Sequence, residues 1–149
     1  MATFTFNTAL GKVGYYASLP ATNDALVLIP LEESGLETDA VLRDKDTFAD
    51  VIAGATNEQT SVGRKTLTGV TVTVDDTNDR VNIAFSAVSW TAPTGNKVGA
   101  FVIGYVPDTT TPSDAAIIPL TKHDLGWTPE GIAFALNAGD FFRATSPLT

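Results

Sequence analysis

The chain has 149 residues, the usual size of one domain, and its 44% hydrophobic content is typical of a globular protein with its own core. It contains no cysteine, which excludes disulfides, thiolate nucleophiles and cysteine-ligated metals. Nine Lys and Arg against seventeen Asp and Glu give a net charge of −8, so the chain would repel a polyphosphate and no nucleic-acid partner is predicted.

The chain begins with a pattern that predicts a short strand. Thr and Phe alternate over Thr3–Phe6, which places Phe4 and Phe6 on one face of an extended segment. This segment is predicted to be an edge strand, and residues 1–7 have the alternative of forming an N-terminal arm that reaches a neighbouring subunit. Asn7 or Thr8 can then cap a short helix that ends near Pro20.

Two further elements are predicted before residue 55. The apolar run Ala25–Ile29 is too short for a helix, so it predicts a central strand that is covered on both faces and ends at Pro30. The segment Thr47–Asp50 has the S/T-x-x-E/D pattern of a helix start, which predicts a helix of about two turns before Gly54.

A change to period-two alternation at Lys65 predicts a β-rich second half. Valines alternate with threonines over residues 70–74, and residues 81–85 alternate similarly, so the acidic segment 75–79 between them predicts a hairpin turn. The phase of the pattern shifts near Gly69 and near Ala87, which indicates a bulge and a second irregularity.

The remaining strands follow in short runs. Residues 98–106 are apolar at both odd and even positions, which predicts a buried third strand of a meander. Residues 117–120 and 132–136 predict two more strands, and the phenylalanine pair 141–142 closes the ordered chain. The fold class predicted from this order is mainly β: a single domain over residues 1–149, forming an antiparallel β-sandwich or small barrel-like sheet with two short helices near the N-terminal half.

The ionisable residues give no catalytic pattern. His123 is the only histidine, so a two-histidine zinc site is impossible, and we interpret it as a surface or loop residue with a structural hydrogen bond. The carboxylate clusters 44–50 and 75–79 lack the spacing of a calcium loop and are interpreted as turns and helix caps. No catalytic, cofactor-binding or metal-binding residue is predicted, and the protein is not expected to be an enzyme.

Aromatic residues supply the candidate binding surface. Trp90, Trp127 and the three tyrosines could form a platform for a sugar, although core or interface packing is the commoner role of such residues. In an extended strand the rings of Phe141 and Phe142 point to opposite faces, so one is expected in the core and the other in a contact with a neighbour. The predicted interface residues are Phe4, Phe6, Trp90, Trp127, Phe141 and Phe142.

Seven segments together carry a resemblance that covers nearly the whole chain. They are Asp39–Asp44, Arg64–Thr68, Val74–Asp79, Trp90–Ala92, Pro107–Thr110, Ile117–Thr121 and Phe141–Ala144. In these segments the chain resembles a family of small virion-associated proteins encoded among the structural genes of actinobacterial tailed phages. The resemblance implies a particle component without catalytic residues.

The expected function is therefore that of a structural protein of a tailed-bacteriophage virion, specifically an external capsid decoration or minor capsid protein. Its expected partners are the major capsid protein or other virion proteins, with copies arrayed on the lattice or assembled as a homo-oligomer. The negative charge favours the exterior of the capsid over the inner wall that faces DNA. The alternatives are a tail component and a host-glycan-binding adhesion module. No apolar run approaches the roughly 20 residues of a membrane span, and a signal-peptide pattern is missing, so we expect synthesis in the host cytoplasm and no membrane partner.

Overall fold

The computed structural model describes residues 3–146, which form ten strands, three short helices and one 3-10 turn at Asn7–Ala9. The strands are β1 (Thr3–Thr5), β2 (Ala25–Glu32), β3 (Lys65–Thr66), β4 (Thr71–Asp75), β5 (Arg80–Phe85), β6 (Val88–Trp90), β7 (Val98–Val106), β8 (Ile118–Trp127), β9 (Phe134–Leu136) and β10 (Gly139–Thr145). The helices are α1 (Val13–Ser18), α2 (Asp39–Leu42) and α3 (Phe48–Val51).

The strands form three antiparallel sheets. A five-stranded sheet has the order β1-β8-β7-β2-β3, a three-stranded sheet has the order β10-β5-β4, and β6 pairs with β9. The predicted mainly-β antiparallel class is confirmed. The described residues contain three short helices where two were predicted, because α2 has only four residues and its sequence carries no clear periodic signal.

The five-stranded sheet is buried on both faces, so it separates two cores. On β2 the even-numbered Leu26 and Leu28 enter a first core, which they share with Ile83 of β5. The odd-numbered residues of β2 enter a second core, which contains Leu42 of α2 and Phe48 of α3. This arrangement confirms the prediction that the apolar run of β2 is covered on both faces, and the shared first core gives a sandwich-like packing of the sheets.

Strand β2 continues past Pro30, where the sequence predicted its end. The Pro30 carbonyl accepts a hydrogen bond from the Gln59 amide at 2.9 Å, and the neighbouring Leu31 forms an isolated bridge with Glu58. The proline nitrogen therefore points toward the segment around Gln59, away from the ladder with β7. Proline is tolerated here because the missing N–H removes no hydrogen bond from that ladder.

The predicted hairpin is confirmed as β4 and β5, which pair from Thr71 with Ala84 to Asp75 with Arg80. Gly69 precedes the hairpin with φ +59°, and a Cβ there would come within 2.1 Å of the Ser86 Oγ. Glycine is thus required for both the backbone conformation and the space. The shift predicted near Ala87 corresponds to the passage of the chain from the three-stranded sheet to the β6–β9 pair.

Two predictions for the later strands were wrong. Strand β7 is buried as expected, but it pairs with β2 and β8 in the larger sheet and is not the third strand of a meander. Strand β8 runs on to Trp127, well beyond the predicted apolar run, and its polar Thr121 and Lys122 are buried. Burial of a lysine with its ion-pair partners disguised this strand, because hydrophobic patterning alone stops at Leu120.

Candidate interaction surface

The six residues predicted for the interface occupy different environments. Phe4, Phe6, Trp90 and Phe141 are buried, whereas Trp127 and Phe142 are half-buried and pack against the first core. Of the six, Trp127 and Phe142 keep the most accessible ring surface. The interface role of all six residues stays a prediction. Phe4 belongs to β1, which pairs with β8 as an edge strand, so the described part of the predicted arm lies on its own domain.

The phenylalanine pair does not adopt the predicted opposite orientations. Strand β10 has a bulge between Asp140 and Phe142, and Phe141 is the extra residue on the bulged strand. Phe142 is paired with Ile83 of the first core, and the ring of Phe141 enters the same core. A bulge breaks the strict alternation of side chains, which is why both rings lie against one cluster.

A cluster of stacked aromatic rings lies where β6, β8 and β9 meet. The rings of Trp127 and Phe134 are stacked at a centroid distance of 3.9 Å, and both are half-buried. The buried Trp90 lies behind them, with ring centroids 6.0 Å from Trp127 and 5.8 Å from Phe134, and its Nε1 donates to the Gly63 carbonyl. The outer pair is therefore held rigidly by a ring in the core. We refer to Trp127 and Phe134 as the aromatic pair.

Ile132 lies between Trp127 and Phe134 in the chain and is 71% exposed. The sequence pattern placed Ile132 in a strand with Phe134 and Leu136, but β9 begins only at Phe134. The segment before β9 is anchored by a backbone hydrogen bond from the Gly131 amide to the Pro93 carbonyl at 2.8 Å. A fixed turn thus presents a large apolar side chain to solvent near the aromatic pair in sequence.

A cavity of about 240 Å³ lies between the sheets. Its wall is mostly apolar, with Leu28, Phe101 and Phe141 among the lining residues, and His123 also lines it. His123 lies on β8 and not in a surface loop, so the predicted location was wrong, although the predicted structural hydrogen bond exists: its Nε2 lies 2.9 Å from the Thr121 Oγ1.

The surroundings of His123 keep its ring neutral at neutral pH. Burial disfavours the charged imidazolium and the neighbouring Lys122 adds repulsion, while Asp124 opposes these effects, so the pKa of His123 falls to about 4. A neutral imidazole in an apolar wall fits a packing role. The cavity is close to the lower size limit of ligand pockets, and Asp124 and Asp140 are also among its lining residues.

Lys122 is the residue before His123 on β8, and its side chain points to the face of the sheet opposite the cavity. It is buried, and its ammonium donates to Asp39 at 2.8 Å and to Asp124, with the ring of Phe4 at 5.5 Å. Asp39 is the first residue of α2, so this ion pair ties a helix to the sheet face that it covers. A paired lysine of this kind is structural and offers no free charge to a ligand.

The outer edge of β4 in the three-stranded sheet carries an exposed apolar surface that was not predicted from the sequence. Val72 and Val74 of β4 face the same side as the buried Ile83, yet they are 42% and 67% exposed because β4 is the last strand of its sheet. Alternation alone cannot separate a core valine from one that lies beyond the core. Thr71–Val74 gave no signal of an edge, since the Lys and Pro residues that commonly mark edge strands are absent from it.

The carboxylate clusters show the predicted cap and turn chemistry. Thr47 and Asp50 form a reciprocal capping box at the start of α3, and Asp75 accepts hydrogen bonds from Asn78 and Arg80 in the hairpin turn. Within residues 3–146, no group of three or more His, Asp or Glu side chains is arranged to hold a metal ion. In the same part of the chain, every helix is too short or too polar to cross a bilayer.

Comparison with models of protein families, with curated proteins and with solved structures finds no match to this chain.

Proposed function

We propose that the protein is a structural component of a tailed-bacteriophage virion that attaches to the outside of the capsid by surface contacts. The observation that carries this proposal is the aromatic pair, a half-buried stack of Trp127 and Phe134 supported by the buried Trp90. Rigid aromatic side chains with accessible surface are the residues that most often dominate protein–protein contacts.

The charge of the chain supports an external position. With a net charge of −8, the protein would be repelled by packaged DNA at the inner wall of a capsid. Attachment outside avoids this repulsion, and many copies on one lattice bind more strongly than one copy does because a particle presents many equivalent sites. The resemblance to virion-associated phage proteins over nearly the whole chain supports a component of the particle, in its head or its tail.

The location can be tested with particles of the phage that encodes the chain. DNA-filled heads without tails are separated from free tails on a density gradient, and the protein is quantified in each fraction against the major capsid protein. We expect a fixed ratio to the capsid protein in the head fraction. Recovery only with tails would favour a tail component, and recovery with neither would overturn the virion assignment.

The role of the aromatic pair is tested by adding purified variants to heads that lack the protein. We expect Trp127→Ala to lower occupancy at least tenfold, whereas Tyr15→Ala, which removes an aromatic ring that is 62% exposed on α1, should bind like the wild type. Circular dichroism at the binding temperature verifies that both variants are folded. Equal occupancy for the two variants would exclude the aromatic pair as the capsid contact.

A glycan-binding adhesion module remains the alternative from a different class, since a tryptophan ring with one accessible face can also cover the apolar face of a sugar. An array of host-type glycans distinguishes the two functions. Binding that is lost in Trp127→Ala, together with absence from heads, would replace the capsid proposal by the adhesion proposal.

A further inference from the structure

The exposed edge of β4 differs from the other sheet edges in the described part of the chain. Strand β3 has only two residues, and β1, β6 and β9 have three residues each. Strand β10 has seven residues but carries the ion pair of Asp140 and Arg143 at 2.9 Å. Strand β4 has five residues, and its residues 71–74 have neither charge nor proline. An edge strand of this kind offers unpaired backbone groups together with apolar side chains, which is the condition for pairing with another strand.

The residue order of β4 fits a second copy of itself. In an antiparallel pair related by a two-fold axis through Thr73, Val72 of one copy lies opposite Val74 of the other, and this contact occurs twice. Thr73 faces its own symmetry mate, and Asp75 faces the uncharged Thr71. This register uses all five residues of β4 and brings no two acidic side chains directly opposite each other, which matters for a chain of net charge −8.

The surface beside Val72 has room for the incoming valine. A groove between α1 and β4 is lined by Ala17, Pro20, Val70 and Val72. Val74 of a second copy would lie opposite Val72 on the same face of the sheet, and thus at the rim of this groove. The contact would then bury an apolar side chain as well as satisfy backbone groups.

We propose that two copies of the chain pair through β4, with the two-fold axis at Thr73, to form a continuous six-stranded sheet of the order β10-β5-β4-β4-β5-β10. The contact is short, so it belongs to the small, transient class of interfaces, and we expect a Kd on the order of 0.1 mM. The inference does not depend on the capsid assignment, because pairing is measured with the isolated protein. On a lattice, the high local concentration would raise the paired fraction.

The first test is analytical ultracentrifugation of the isolated protein from about 10 µM to about 1 mM, a range that brackets the expected Kd. We expect a reversible monomer–dimer equilibrium.

Val74→Lys should weaken the dimer at least tenfold, because it places an ammonium group opposite Val72. The matched control is Ala144→Lys, which adds the same charge to an exposed position of β10, two strands away from β4. This variant should dimerise like the wild type. A wild-type protein that is monomeric at the highest concentration, or equal weakening by both variants, would overturn the proposal.

The second test fixes the register and uses the absence of cysteine from the chain. Residues directly opposite each other in an antiparallel pair have Cα atoms about 4.5–5.5 Å apart, which is within the range that a disulfide spans. Thr73→Cys should therefore form a covalent dimer under mild oxidation, seen on a non-reducing gel. Thr71→Cys should not, because two residues 71 would be about 13 Å apart in this register. Cross-linking of Thr71→Cys as fast as Thr73→Cys, or of neither variant, would overturn the pairing centred on Thr73.

Discussion

The five-stranded sheet and the three-stranded sheet use the same kinds of residue in different ways. Strand β2 places valine, leucine and isoleucine on both faces and all are buried, because a sheet covers one face and α2 and α3 cover the other. Strand β4 also alternates with β-branched residues, but among the described residues no strand pairs with its outer edge, and its valines are exposed. The strand pattern is thus a local property, whereas burial is decided by the layer that covers the strand.

The ion pairs of the two regions also differ in how distant the residues that they connect are. In the larger sheet, Lys122 joins Asp39 of α2, and Arg64 joins Glu58 and Asp114 while it lies over the ring of Phe48 at 5.0 Å. The Lys122–Asp39 and Arg64–Asp114 pairs connect residues that are far apart in sequence, whereas Glu58 is only six residues from Arg64. In the hairpin, Arg80 joins Asp75, its own strand partner. The helix-covered sheet should therefore carry most of the stability, and the hairpin edge should be nearly neutral to substitution.

The largest expected effect comes from the core between the sheets. Phe101 of β7 is 2% exposed and its ring lies 5.6 Å from that of Trp90, so Phe101→Ala should lower the free energy of unfolding by about 3–5 kcal/mol. The matched change at the edge, Val74→Ala, should stay within about 0.5 kcal/mol at a concentration where the protein is monomeric. Urea denaturation measures both values. Similar losses for the two variants would contradict the division between a stabilising sheet and a neutral edge.

The second effect concerns pH and the single histidine. Because the folded-state pKa of His123 is lowered from 6.5 to about 4, the unfolded chain binds more protons between these values. Its contribution to stability is complete above pH 6.5 and is lost as the pH falls toward 4, and a shift of this size corresponds to about 3 kcal/mol. His123→Gln should flatten the dependence of unfolding free energy on pH between 4 and 6.5.

Carboxylates provide an internal control for this pH window. Hydrogen bonds from Thr110 and Thr111 lower the pKa of Asp108 to about 2, so its contribution is lost only as the pH falls below about 4. A pH slope between 4 and 6.5 that persists in His123→Gln would show that other groups cause it. That result would contradict the buried, neutral state of His123 in the cavity wall.

The third effect distinguishes buried from exposed ion pairs. Lys122→Met leaves Asp39 and Asp124 without their ammonium partner, and because these carboxylates are 33% and 28% exposed, we expect a loss of about 2 kcal/mol, below the range for fully buried pairs. Lys97→Met breaks the exposed pair with Glu33 and should cost less than about 0.5 kcal/mol. Equal costs measured by urea denaturation would show that the link between α2 and the sheet adds no stability.

Much of the fold was predictable where local chemistry decides the structure. The apolar runs of β2 and β7, the β4–β5 hairpin and the cap of α3 all follow from residues within one element. The partition of the strands into three sheets was not predictable, because strand partners such as β1 and β8 are far apart in sequence. Strand β8 was predicted to be too short for a related reason. Its buried Lys122 depends on a carboxylate of α2 that lies 83 residues away.

The candidate surface was predicted less well than the fold. The aromatic residues were correctly singled out, but one extra residue in β10 turned Phe141 and Phe142 to the same core, and composition cannot reveal such a bulge. Trp127 and Trp90 were indistinguishable in sequence, and only the layer that covers Trp90 separates the buried ring from the half-buried one. The exposed valines of β4 were missed because the alternating pattern is the same for a covered and an uncovered face.

The smallest expected effect tests whether local capping adds to the stability of the helix-covered region. Helix α3 has only four residues, so it is too short to be stable through its own hydrogen bonds and depends on Phe48, Val51 and the cap. The Thr47 Oγ1 accepts from the Asp50 amide at 3.2 Å, and the Asp50 carboxylate accepts from the Thr47 amide at 3.1 Å.

Thr47→Ala removes the first of these bonds and should lower the free energy of unfolding by about 1 kcal/mol. Thr47→Ser keeps the hydroxyl and should lie within a few tenths of a kcal/mol of the wild type. If serine were as destabilising as alanine, the methyl group of Thr47 and not its hydrogen bond would be the stabilising element, and packing alone would explain the difference between the helix-covered sheet and the hairpin edge.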